Sequence, residues 1–183
     1  MIVTGLLLLG AKIASEPINR ITSVQINYKR VGNGNSATAT VFGRSIKNRR
    51  VKQVIQLDTF PGGAGNSKPI ILDHGQVAIF TRHEMSRFNV IVGLKVENHR
   101  LRVDEEFNEK LFAEIPPKVR AMAGLLPNNV QIGRSSKRIV RINFVNRDEK
   151  DGVKTTFRVK NLRWTCVSAT SWRDADWDGI HRF

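Results

Sequence analysis

The residues with most capacity for chemistry in this chain are its cations. There are 18 Arg and 12 Lys against 16 Asp and Glu in 183 residues, a formal charge of +14. Arginine carries a planar fork suited to phosphate and carboxylate and is enriched at interfaces. The cations recur at chosen spacings. Lys154, Arg158 and Lys160 fall on one parity of a strand-like stretch, Arg100 and Arg102 on one parity of another. Lys47, Arg49 and Arg50 cluster inside a basic patch at 44–52. If these faces adjoin, they form a positive sheet surface able to follow a phosphate backbone or an acidic protein partner. The bland alternative is a solvated face that keeps the chain soluble. Aromatic interleaving of the kind that grips single strands is thin, with one Tyr and the Phe residues mostly on the apolar parity.

Patterns for catalysis and metal binding fail one by one. The run Pro61-Gly62-Gly63-Ala64-Gly65-Asn66-Ser67-Lys68 has the glycines of a phosphate loop, but Pro69 follows the lysine where Ser or Thr and a helix are needed. His83-Glu84 begins a zinc-protease helix, yet Arg87 stands where the second histidine belongs. Asp73-His74 has no serine in a nucleophile elbow to serve. His83 and His99 would form at most an incomplete ligand pair across strands. Asp174, Asp176 and Asp178 have the opening spacing of a calcium loop, but the chain provides no downstream glutamate. The lone Cys166 excludes an internal disulfide and a thiolate-rich zinc site, and favours a reducing compartment. The expectation is a non-enzyme with no metal, no cofactor and no small-molecule substrate.

The C-terminal stretch has another character. All three tryptophans, Trp164, Trp172 and Trp177, lie there among Asp and Arg. Trp and Arg dominate interface hot spots. Trp172, Arg173, Trp177 and Phe183 are therefore candidate subunit-interface residues. They sit in a tail, 171–183, that docks on its own domain or on a neighbour.

The elements that must position these residues are mostly strands. Val24, Ile26 and Tyr28 alternate with polar residues, an Asn-Gly turn follows, and Ala37, Ala39 and Val41 continue the pattern, a hairpin over 22–44. Strands are expected at 51–57, 70–72 and 76–81. Phe88, Val90, Val92, Leu94 and Val96 give a long strand with one buried face, continued or paired by Leu101 and Val103. Phe107, Leu111 and Ile115 at four-residue spacing give a short helix stopped by Pro116 and Pro117. Val119, Met122 and Leu126 give a second helix. Residues 138–164 read as another hairpin.

The sum is about eight strands in a β-rich α+β fold. The expected form is an antiparallel sandwich or barrel-like domain over 1–170, with a helical insert near 104–126. The apolar run Leu6-Leu7-Leu8-Leu9 lacks a preceding basic region and reads as a core segment rather than a secretory signal. It is also too short to span a bilayer. Two functions fit. One is a non-enzymatic structural subunit of a large assembly, of the virion kind (tail, connector or capsid-associated), which meets other subunits or its own copies. The other is a nucleic-acid-binding module using a basic sheet face. The location that follows is the virion or the cytoplasm, without a membrane.

Overall fold

The computed structural model describes residues 16–31, 34–60, 68–83, 89–104, 106–123, 125, 127, 129–146 and 151–173. The leucine run at 6–9, the glycine-rich loop at 61–67 and the stretch 174–183, with Trp177 and Phe183, lie outside the described residues. Among the described residues, eleven strands form three open antiparallel sheets, joined by two short helices.

The N-terminal sheet has the order β1 (Arg20–Val31), β2 (Gly34–Arg44), β3 (Arg50–Phe60). The register pairs Ile26 with Ala39 and Ala39 with Ile55, so alternate residues share a face. Ala37, Ala39 and Val41 are fully buried on one face. The opposite face is mixed: Asn27 donates to the Thr40 hydroxyl and Gln56 to Ser36, beside exposed Lys52 and Val54.

The central sheet has the order β4 (Ile70–Leu72), β5 (Val77–His83), β6 (Asn89–Glu97), β7 (Arg100–Asp104). The expected single buried face of β6 proves to be two, because Ile91, Val92, Gly93 and Leu94 are buried in succession. Ala78, Phe80, Val92, Leu94 and Val96 pack with the buried face of the N-terminal sheet. Val77, Ile79 and Ile91 belong to a second core, shared with the helices and the C-terminal sheet.

Helices α1 (Phe107–Ala113) and α2 (Pro117–Ala123) form the expected insert. Gly93 is what lets α1 dock, since a Cβ there would come within 2.7 Å of the Phe107 ring. Buried Asn108 fixes the same contact: its carbonyl oxygen accepts the Ile91 amide at 3.2 Å, and its amide donates to the Pro127 carbonyl.

The C-terminal sheet has the order β11 (Arg163–Trp172), β10 (Gly152–Lys160), β9 (Ile139–Val145), β8 (Val130–Ile132). Val140, Ile142, Phe144, Val153, Phe157 and Val159 fill its inner face, all fully buried. Strands β8 and β11 are additions to the sequence reading. β11 escapes alternation because of a bulge: Phe157 opposes Cys166 but Thr156 opposes Ser168, so the parity of the strand switches at exposed Val167.

The sheets meet at the short 3-10 turn Asp73–Gly75, whose three residues all have positive φ, 47°, 56° and 91°. Buried Asp73 accepts the Leu162 amide at 2.8 Å and donates its own amide to the Lys137 carbonyl at 2.9 Å. A Cβ on Gly75 would lie 2.4 Å from the Ile21 carbonyl oxygen. One turn thus touches the first strand of the N-terminal sheet and both the β10–β11 and β8–β9 connections of the C-terminal sheet.

Candidate functional site

The outer face of the C-terminal sheet follows from its register. On β10, exposed Lys154, Arg158 and Lys160 share one parity with Thr156. Across from them, Thr156 opposes Arg141 of β9, and Lys154 opposes Asn143. On the other side, Lys160 opposes Arg163 of β11, Arg158 opposes Thr165, and Lys154 opposes Thr170. The last of these strands is set by a two-residue turn, Asn161-Leu162, with both residues at positive φ as a type I′ hairpin requires. The strands of this sheet hold five cations and no Asp or Glu.

Two open troughs cross this face. One, of about 640 Å³, is lined by Arg134, Arg141, Asn143, Lys154, Thr156 and Ser168 among others. The second, of about 540 Å³, is lined by Arg158, Lys160, Asn161, Arg163 and Thr165. No carboxylate lines either. Arg141, Arg158, Lys160 and Arg163 form no ion pair with a described residue. The face has no exposed aromatic among the described residues. Trp164 points inward, with its ring 5.0 Å from Phe107 and 6.2 Å from Phe157.

Trp172 ends β11 and is 8% exposed. Its ring lies across Gly152, where a Cβ would come within 2.1 Å of it, and the Lys154 ammonium stands 5.6 Å from the ring centroid. Trp172 therefore belongs to the sheet of its own chain, as the second residue of what the sequence reads as a tail. Arg173 is exposed just beyond it.

The other cations lie on other elements. Lys47 and Arg49 lie in the turn between β2 and β3, where Arg49 pairs with Glu16, and Arg50 opposes Arg44. Arg100 and Arg102 lie on β7, the edge of the central sheet, opposite Glu97 and Lys95. Arg100 and Arg102 are on a different sheet from Lys154, Arg158 and Lys160. Sequence reading missed Arg134, Arg141 and Arg163. The Arg141 signal was its alternation with Val140 and Ile142. The Arg163 signal was the two-residue spacing after Lys160.

A second cleft, of about 410 Å³, has the opposite electrostatics. It lies at the β7 edge beside α1, lined by Lys95, Glu97, Asp104, Lys110, Glu114 and Trp164 among others. Lys110 bonds Asp104 at 2.9 Å and approaches Glu106 at 3.4 Å. The Asp104 hydrogen bond holds its ammonium above the ordinary lysine pKa. Lys95 lies 3.6 Å from Asp104 and 3.7 Å from Glu97. Cations here are answered within the chain.

The remaining candidates resolve structurally. Asp73 and His74 form the inter-sheet turn, His74 Nε2 lies 2.6 Å from the Arg138 guanidinium, and no serine or cysteine lines the adjoining pocket. His83 opposes Asn89 at one end of the central sheet. His99 lies past the other end, 2.7 Å from the Asn19 side chain, so the two histidines do not converge. Among the described residues no group of three or more His, Cys, Asp or Glu gathers to hold a metal. Asp174, Asp176 and Asp178 lie outside them. No helix among the described residues is long and apolar enough to cross a membrane. Comparison with protein-family models, with curated proteins and with solved structures yields no match.

Proposed function

We propose that the chain is a non-enzymatic structural subunit of a large assembly of the virion kind, seated through the outer face of the C-terminal sheet. The finer architecture we propose with it is a sandwich-like stack of the three sheets, which presents that face as a rigid plane. The observation that carries the reading is the segregation of charge. The cations beside α1 are paired within the chain, whereas Arg141, Arg158, Lys160 and Arg163 of the C-terminal sheet form no ion pair with a described residue, and strands β8–β11 hold no carboxylate. A plane that holds same-sign charges close together is stabilised by a partner of opposite sign. The reading places the chain in the virion or the cytoplasm, with other subunits and its own copies as neighbours.

The test is sedimentation of a tagged copy expressed in its native source. The chain should travel in a fast-sedimenting particle, and the quadruple variant Arg141→Glu, Arg158→Glu, Lys160→Glu, Arg163→Glu should be left out of it. A wild-type chain found only at the size of a free 20.6 kDa protein overturns the proposal.

A further inference from the structure

We infer that the outer face of the C-terminal sheet docks on the sugar–phosphate backbone of a nucleic-acid duplex, independently of base sequence. The inference rests on the reading of that face as the contact surface and names its partner.

Three features of the face select this occupant. The first is dimension. Lys154 and Lys160 are six residues apart on β10, roughly 20 Å at about 3.3 Å per residue. The flanking strands β9 and β11 bring Arg141 beside Thr156 and Arg163 beside Lys160, each about 4.8 Å to one side of β10. A duplex carries one phosphate per about 1.7 Å of helix axis over its two strands, so about 20 Å of axis holds about twelve, and the face meets those turned toward it. The second is chemistry. Arg134, Arg141, Lys154, Arg158, Lys160 and Arg163 supply six cations, and Asn143, Thr156, Thr165 and Thr170 stand between them. Cations with interspersed amides and hydroxyls are the groups that bind phosphate oxygens and set position without reading bases. The third is the surface form. A single strand is held by exposed aromatics on which bases stack. Here Trp164 faces the core and Trp172 is folded over Gly152, so the described face offers none.

An acidic protein surface shares the charge but not the repeat. Carboxylates on a folded partner are spaced by its own fold, whereas phosphates line a duplex so closely that cations four and two residues apart along β10 each find one.

The experiment is fluorescence anisotropy of the full chain with 30-base-pair DNA duplexes of two unrelated sequences. Single-stranded DNA and polyglutamate are matched to them in charge. Both duplexes should bind alike, and binding should fall about 10³-fold between 50 and 200 mM NaCl. That corresponds to six contacts at a log–log slope of about −0.9 each. The double variant Arg158→Glu, Lys160→Glu should weaken binding at least about tenfold at 100 mM NaCl and flatten the slope by about 2. Lys29→Glu, Lys52→Glu changes net charge equally on the N-terminal sheet and should leave the slope unchanged. Circular dichroism confirms that each variant keeps its strands.

Three results overturn the inference: no duplex binding at 50 mM NaCl, equal loss in both double variants, or polyglutamate or single-stranded DNA binding at least as tightly as duplex. If the sheet variant is excluded from the particle while the wild-type chain ignores duplex, the partner assignment fails and the assembly reading stands. If duplex binding behaves as expected but the chain never enters a particle, the assembly reading fails alone.

Discussion

Single residues carry the joints of this molecule, and most are not its charges. Gly75 combines a φ of 91° with a carbonyl oxygen 2.4 Å from where a Cβ would sit. Gly75→Ala should cost about 3 kcal/mol, from a strained left-handed backbone and overpacking together. For a chain of this length that is a fall of about 6–12 °C in melting temperature, read by thermal circular dichroism. Asp73 makes the complementary joint through the Leu162 amide. Asp73→Ala leaves that amide without its acceptor and should cost about 1–3 kcal/mol, seen as a lower denaturant midpoint. Cys166 is half-buried, and burial pushes its thiol above the ordinary pKa while its Sγ lies 3.3 Å from the Ser168 carbonyl. The thiolate is the reactive form. Iodoacetamide should therefore modify it more slowly at pH 8 than it modifies a short cysteine peptide, and the rate should climb as pH rises past 9. Equal rates at pH 8 would show a solvent-open thiol.

At the scale of elements, β11 is the strand to test. It carries Arg163 to the outer face and ends on Trp172, whose ring covers Gly152. Trp172→Ala removes a ring that is 8% exposed and should destabilise by about 3–5 kcal/mol. A chain ending at Arg173 keeps every contact described for β11. It should melt with the full-length protein, while one ending at residue 170 loses Trp172 and should melt well below both. That pair of truncations separates a docking role of the last ten residues from the structural role of Trp172. The result would be reversed if stability were lost only on removing 174–183. The strand's late recognition has a local cause. Alternation reads Trp164 and Cys166 as one face, and the bulge at Val167 moves the continuing inward positions to the other parity. The same kind of context dependence gave β6 two buried faces, since a strand between two layers buries neighbours in succession.

For the whole molecule, the decisive property is where +14 resides. Ion pairs gather around Glu16 and along the β7–α1 edge, whereas the C-terminal sheet concentrates cations without a carboxylate in its strands. Like charges held within about 10 Å repel, and 0.1 M salt screens over that distance. The free chain should therefore gain thermal stability as NaCl rises from 10 to 300 mM, whatever its partner. A falling melting temperature would mean that the paired clusters outweigh the cationic sheet.

The sequence by itself determined the type of nearly every element. Period-two alternation marked the hairpins at 22–44 and 138–164, and the four-residue spacing of Phe107 and Leu111 with the following prolines marked the helical pair. Those signals are local: they depend on which face of one strand or helix is apolar. It also determined that Lys154, Arg158 and Lys160 share a face, because parity within a strand needs no knowledge of its neighbours. Only the tertiary structure decided which strands share a sheet. That choice placed Arg141 and Arg163 beside Lys154, Arg158 and Lys160, put Arg100 and Arg102 on another sheet, and folded Trp172 onto Gly152. Pairing and register are set by long-range packing and by turns and bulges of one or two residues. A one-residue change there moves every following side chain to the opposite face, which no composition or spacing records.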